Sequence, residues 1–332
     1  MDKKMTMRRT ITLAALAFVL LTACTQNTEK EIESNQTSNT MTEQKMVFLN
    51  KELNLNLAGI LRLPAEFDLG KKYPAVVITG PMLSIKEQAQ SVYATRLTEA
   101  GYVTLVFDGS YFGESEGMPR FQELPDVKES DIEAAVDYLS SLPYVDADHI
   151  GGLGICGSGS YMSVAGVKEP RLKAVTAIVP AISNIATSPM MGFFKPEDEV
   201  VKAKEAYDKG EGELMHLNFM PRAFEEGAAY YYSARGNRKG WSNQVVAWSQ
   251  LELIKYNVTE IMKGMQKPYL VISAEKAWSR PSSTEIFEAV PHTNKQMVVL
   301  PEASHFDLYD LEPYVSQAME HIVPFFEKNL WR

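Results

Sequence analysis

Two cysteines occur in the 332-residue chain, and one of them is placed for chemistry. Cys156 lies in His149-Ile150-Gly151-Gly152-Leu153-Gly154-Ile155-Cys156-Gly157-Ser158-Gly159-Ser160, an apolar strand running into a glycine-rich turn and then a helical stretch. This is the pattern of a nucleophile elbow, small-x-nucleophile-x-small, with cysteine where serine is more usual. A thiol at the first turn of a helix faces unsatisfied backbone N–H groups and the positive end of the helix dipole. Both favour the thiolate, which is the nucleophilic form. The N–H of Gly157, directly after the nucleophile, is placed to donate to an oxyanion. Ser158 is a rival nucleophile in the same run. The apolar strand ends at Ile155, however, which puts the apex of the turn on Cys156 and Ser158 already in the helix. An inert buried cysteine is the non-catalytic alternative.

Cys24 belongs to a different signal. Lys3, Lys4, Arg8 and Arg9 form a basic start, Ile11 to Leu21 an apolar core, and Leu21-Thr22-Ala23-Cys24 closes it in the pattern of a bacterial lipobox. The core is shorter than the roughly 20 residues a membrane-spanning helix needs. Residues 1–23 therefore read as a lipoprotein signal peptide, with Cys24 the lipidated first residue of an exported protein anchored to a membrane of the bacterial cell envelope. The signal carries a net +3, so its removal takes the chain from −9 to −12. That acidity argues against nucleic acid as a partner and against electrostatic attachment to anionic lipid. Residues 24–45 are polar and read as a flexible tether. With Cys24 lipidated, Cys156 has no intrachain partner and is expected as a free thiol.

The elements that must position Cys156 alternate. Met46–Asn50 and Leu53–Leu63 read as an opening antiparallel pair. Tyr73–Thr79, Tyr102–Phe107, Ile150–Ile155, Ala174–Val179, Tyr269–Ser273 and Gln296–Leu300 read as short apolar strands buried on both faces. Lys86–Ala100 and Asp131–Leu142 read as helices between them, and Glu312–Leu330 as a closing helix broken or kinked near Pro324. This alternation predicts an α/β fold with a mostly parallel sheet and flanking helices. Residues 183–266 interrupt it. Such a span between two core strands, with Tyr230-Tyr231-Tyr232, Trp241, Trp248 and the helical-looking Leu251–Met265, reads as a helical cap insertion lining a substrate pocket, or as a unit whose aromatics pack its own core.

In order and spacing, residues 46–331 resemble the α/β-hydrolases, in the branch close to dienelactone hydrolases. The likeness rests on the elbow Gly154-Ile155-Cys156-Gly157-Ser158-Gly159, on Pro81 with Lys86-Glu87-Gln88 after the third strand, on Phe107-Asp108-Gly109-Ser110-Tyr111-Phe112-Gly113-Glu114-Ser115, and on Ala303-Ser304-His305-Phe306-Asp307-Leu308-Tyr309. The resemblance implies an α/β-hydrolase fold, with a second oxyanion donor from the loop Thr79-Gly80-Pro81-Met82-Leu83. Pro81 has no N–H, so Met82 is the choice. It also implies a histidine base near the chain end, His305. The acid slot after Tyr269–Ser273 reads Ala274-Glu275-Lys276-Ala277-Trp278, with Ala277 where aspartate is usual. Glu275 is the nearest candidate to orient His305, Asp307 the reserve and Glu285 a weaker third. Asp108 and Glu114 border the site or cap their loop.

The function expected is cleavage of an ester, thioester or lactone of a small acyl substrate through a thioester on Cys156. The catalytic set is Cys156, His305 and Glu275, the oxyanion donors are Gly157 and Met82, and Tyr111, Trp241 and Trp248 are pocket candidates. Two other readings stay open: an acyltransferase using the same cysteine, and a non-catalytic envelope scaffold that binds a ligand. No metal is implied, since no histidine, cysteine and carboxylate set shows ligand spacing. No cofactor is expected either, because the Gly152-x-Gly154-x-x-Gly157 spacing lies deep in the chain and belongs to the elbow.

Overall fold

The computed structural model describes residues 40–187, 191–192 and 194–331. The signal peptide, Cys24 and most of the tether lie outside them. In chain order the elements that build the core are β1 (Thr42–Asn50), β2 (Leu55–Leu63), β3 (Tyr73–Thr79), α1 (Ala89–Glu99), β4 (Val103–Phe107), α2 (Pro125–Ser141), β5 (Val145–Ile155), α3 (Gly157–Lys168) and β6 (Leu172–Ile178). Between β6 and β9 come a 3-10 turn (Ile185–Thr187), α4 (Glu197–Asp208), β7 (His216–Asn218), α5 (Glu225–Tyr231), β8 (Gln244–Val246), α6 (Ser249–Lys255) and α7 (Val258–Met262). The chain closes with β9 (Tyr269–Ala274), α8 (Arg280–Ala289), β10 (Lys295–Leu300), α9 (Asp307–Asp310) and α10 (Tyr314–Leu330).

Eight strands form one sheet in the order β1-β2-β4-β3-β5-β6-β9-β10. β2 pairs antiparallel with β1 and β4, and every later neighbour is parallel. The pattern follows from burial. Val103–Phe107 is buried at every position, and Tyr73–Thr79 at all but its first. Strands without a solvated face need helices on both sides, and parallel connections supply them. Two apolar clusters, one on each face of the sheet, fill the layers. Leu57, Val77, Leu105 and Ile150 belong to one, and Ile60, Val76, Ile78 and Ile155 to the other.

Several elements depart from the sequence expectation for local reasons. β1 starts at Thr42, inside the stretch read as tether, because an edge strand needs only one hydrogen-bonded neighbour and tolerates Glu43 and Lys45 pointing to water. α2 begins at Pro125 rather than Asp131. Its first turns bury Glu129, Ser130 and Asp131, so apolar spacing does not register there. α10 runs through Pro324 without a break. Leu251–Met265 is two helices, because Asn257 caps the second by accepting the Glu260 N–H at 3.2 Å. The insertion between β6 and β9 also contributes a small antiparallel pair, β7 with β8.

Candidate active site

Cys156 sits where β5 ends and α3 begins, at the C-terminal edge of the sheet. Its backbone is left-handed, with φ 58° and ψ −121°, a conformation that costs a residue with a side chain about 1–3 kcal/mol and persists only where its surroundings enforce it. Here the Cys156 N–H donates to Ile178 O at 2.9 Å, while its carbonyl accepts from Gly159 and Ala181 at 3.0 and 3.1 Å. Two glycines make the bend feasible. A Cβ on Gly154 would lie 2.1 Å from the Ser158 carbonyl oxygen, and one on Gly157 would lie 2.3 Å from Met82 Cγ. The absence of a side chain at Gly157 is what lets the loop after β3 close on the elbow.

That loop is tied from below. Lys86, 1 % exposed, bonds Asp108 at 2.8 Å and Glu114 at 2.6 Å, and Asp108 also accepts the backbone N–H groups of Lys86 and Glu114. Glu123, fully buried, accepts the Leu83 N–H at 3.3 Å. Asp108 and Glu114 thus brace the loop that carries Met82. Held this way, the loop packs Met82 directly against Gly157, the residue after Cys156.

Burial pushes the thiol up to about 11, although the hydrogen bonds from Tyr309, Gly157 and Met82 pull the other way. The thiolate expected from the helix terminus is therefore not the resting form, because desolvating an enclosed charge outweighs the dipole. His305, wholly buried, is driven down by burial to about 3. Its ring is enclosed by Trp278 at 4.6 Å, Phe306 at 5.0 Å and Tyr309 at 5.4 Å between centroids. The two groups rest as neutral thiol and neutral imidazole.

Neither nitrogen of His305 meets a carboxylate. Nδ1 is 2.7 Å from Ser279 Oγ, and Nε2 is 3.0 Å from the Tyr309 hydroxyl. Glu275, expected as the orienting acid, instead accepts the backbone N–H of Glu302 at 2.9 Å on the surface. The reserve, Asp307, accepts the Ser304 N–H at 2.9 Å and shapes the turn before α9. Glu285 is exposed on α8. Ser279 and Tyr309 are thus the residues that sequence reasoning missed. The spacing of four between His305 and Tyr309 was the available signal for the second.

The pocket candidates separate. Trp241 reaches the site through Tyr231, with rings stacked at 5.0 Å and 13°, and Tyr231 in turn meets Phe306, the neighbour of His305, edge-on at 6.0 Å. Trp248 instead packs on Tyr207 at 5.3 Å and donates to Gln122 at 3.1 Å, consolidating the insertion. Tyr111 lays its ring over Gly117, and its backbone bonds to Glu116 and Phe121 shape its own loop. Among the described residues no group of three or more His, Cys, Asp or Glu could hold a metal ion, and no helix is long and apolar enough to cross a membrane.

The pattern of the dienelactone hydrolase family matches residues 57–211. The chain is 32% identical over 309 residues to uncharacterized protein PA2218 of Pseudomonas aeruginosa, covering 86% of this chain and 81% of that one. The crystal structure of PA2218 superposes with a TM-score of 0.79 at 29% identity, covering 89% of this chain and 95% of its own. Uncharacterized protein YcjY of Escherichia coli is 29% identical over 306 residues, 87% of this chain and 100% of that protein. The α/β-hydrolase GrgF from a Penicillium species, at 18% identity and a TM-score of 0.73 over 87% of this chain and 99% of its own, shares the fold.

Proposed function

Because the chain belongs to the dienelactone hydrolase family of α/β-hydrolases, we propose that it cleaves an ester, thioester or lactone by acyl transfer through Cys156. The observation that carries this reading is the left-handed turn apex at Cys156 between β5 and α3, with the Met82 loop closed against Gly157. In the first half-reaction the Cys156 sulfur attacks the acyl carbon while its proton passes to His305. Gly157 and Met82 donate to the oxyanion, and the imidazolium returns the proton to the departing alkoxide or thiolate. In the second, water attacks the thioester, His305 takes the water's proton, and collapse releases the acid and restores the thiol.

The resting charges constrain the timing. A thiol near 11 and an imidazole near 3 differ by enough that ionising the pair in advance would cost on the order of 10 kcal/mol before mutual attraction is credited. The proton therefore leaves as the sulfur–carbon bond forms, when the oxyanion donors are already engaged. A third carboxylate matters less for cysteine than for serine, because the thiol ionises more easily.

Intact-mass analysis after mixing with p-nitrophenyl acetate tests the reading. The expected result is a transient acetyl adduct on wild type, absent from Cys156→Ala, with acetate as product. Release of the acetyl group to added alcohols or amines instead of water would make the protein a transferase. No adduct and no turnover over a panel of activated esters would leave a binding scaffold. The same proposal has the protein exported and held at the cell envelope by lipid on Cys24, with small acyl compounds as substrates. Incorporation of labelled fatty acid that survives in Cys24→Ala would refute the anchor.

A further inference from the structure

The peptide groups that follow His305 are held by side chains 80 and 71 residues away in the chain. Glu226 Oε1 accepts the Phe306 N–H at 3.1 Å, and Arg235 Nη2 donates to the Phe306 carbonyl at 2.9 Å. Both come from the insertion between β6 and β9, Glu226 in α5 and Arg235 shortly after it. We propose that Glu226 and Arg235 are positioning residues for His305: by gripping Phe306 at both ends of its backbone, the insertion holds the imidazole between Ser279 and Tyr309. The proposal rests on the acyl-transfer reading and gives the insertion a part in assembling that site.

The rest of the protein fastens only the ends of this segment. The Lys276 N–H donates to Ala303 O at 2.9 Å, and the Tyr93 hydroxyl donates to Leu308 O at 2.6 Å. Between them Asp307 closes the local turn by accepting the Ser304 N–H at 2.9 Å. The peptide joining His305 to Phe306 is planar, so holding the Phe306 N–H sets the plane that leaves the His305 Cα. The Phe306 carbonyl also accepts the Tyr309 N–H at 3.2 Å. Arg235 at that oxygen therefore supports the first turn of α9, from which the Tyr309 hydroxyl reaches Nε2 at 3.0 Å.

Charge and packing agree with this role. Arg235 also bonds Asp310 through Nε at 3.1 Å and Nη2 at 2.6 Å, and both side chains are partly buried. Hydrogen bonds of this charge-assisted kind are roughly twice as strong as neutral ones, and the planar fork of the guanidinium resists rotation. Other ion pairs of the insertion, such as Lys195 with Glu199 and Lys204 with Asp208, join residues four apart and face solvent. Arg235 and Asp310 are 75 residues apart and tie the insertion to α9. The Phe306 ring completes the joint, meeting Phe224, Tyr230 and Tyr231 of the insertion at 5.9, 6.0 and 6.0 Å between centroids.

The experiment compares Glu226→Ala with Glu226→Gln, and Arg235→Ala with Arg235→Lys, in the full-length protein. Its readouts are the acylation burst with p-nitrophenyl acetate and the nitrogen-15 spectrum of the His305 ring. Each alanine variant is expected to slow the burst by about 10–10²-fold, the scale of a slightly misplaced catalytic group, with the half-saturating ester concentration within twofold of wild type. Glu226→Gln keeps an acceptor and Arg235→Lys a donor, so both are expected to recover most of the rate. In wild type the ring nitrogens should show one neutral tautomer, protonated only near pH 3. In the alanine variants they should move toward the averaged signals of a free ring, with the midpoint rising toward 6.5. Alanine variants that lose stability in urea but keep the wild-type burst and ring spectrum would overturn the proposal. Should those variants not fold, hydrogen exchange on wild type decides: the Phe306 amide is expected to be protected, and exchange as fast as in an unstructured peptide would overturn the grip. Absence of any wild-type burst sinks acyl transfer, while the ring spectra still decide whether the insertion places His305.

Discussion

The neutral imidazole of His305 makes a quantitative demand on stability. In the unfolded chain the ring takes a proton near pH 6.5; in the folded protein burial among Trp278, Phe306 and Tyr309 holds it off until about 3. Between those values the unfolded state binds a proton that the folded state does not, so stability falls as pH falls. Above pH 6.5 the group contributes no pH dependence. Through the window it removes about 1.4 kcal/mol per pH unit, so about 3 kcal/mol is gone by pH 4 and about 5 kcal/mol below pH 3. Exposed carboxylates titrate in the same range, which is why a variant is needed as a reference. His305→Gln is neutral at every pH, and its difference between pH 7 and pH 4 reports everything except this ring. Urea denaturation followed by tryptophan fluorescence at the two pH values gives four stabilities. Wild type is expected to lose about 3 kcal/mol more than His305→Gln over that interval. Equal losses would mean that the folded protein protonates the ring as readily as the unfolded chain does. The neutral starting pair, and the coupled proton transfer built on it, would then be wrong.

Three further outcomes follow from the same contacts. Alkylation of Cys156 by iodoacetamide should keep accelerating to a midpoint near pH 11, because only the thiolate reacts; a plateau reached by pH 9 would contradict burial as the dominant influence. Ser279→Asp places a carboxylate where Nδ1 now meets a hydroxyl at 2.7 Å, and should raise the imidazole pKa by about 1–3 units in a nitrogen-15 NMR titration; an unmoved titration would mean that Ser279 does not face the ring in solution. Glu275→Gln should leave the acylation burst within twofold of wild type, since that carboxylate serves the Glu302 N–H; a tenfold loss would return Glu275 to the catalytic set.

The scaffold was legible wherever burial is two-sided. Tyr73–Thr79 reads as a strand to the residue, since a short β-branched run enclosed on both faces has no other use. The elbow was legible for a related reason: an apolar strand ending at Ile155 before Gly157 leaves one position for the apex, and the structure puts the left-handed backbone at Cys156. What pattern reading missed are polar groups buried in pairs. Glu129, in the first turns of α2, is satisfied by Lys168 at 2.5 Å and Tyr256 at 2.6 Å, partners 39 and 127 residues away, so nothing local marks it as an inward-facing helical residue.

The environment of His305 was hidden by the same mechanism in a sharper form. Ser279 stands directly before a helix with Pro281 at its start, which is the usual signature of a capping serine. Sequence logic assigns such a hydroxyl to the helix terminus and searches for the acid among nearby carboxylates, which leads to Glu275. In the structure Ser279 makes no side-chain cap bond, because its hydroxyl group is engaged with Nδ1 and with the Val179 carbonyl. A neutral partner there fits a neutral ring. A carboxylate beside Nδ1 would draw a proton onto the imidazole before substrate arrives, whereas a hydroxyl orients the ring and leaves Nε2 free to accept. The serine at this position and the phenol at Nε2 are two parts of one arrangement, which keeps charge out of an enclosed site.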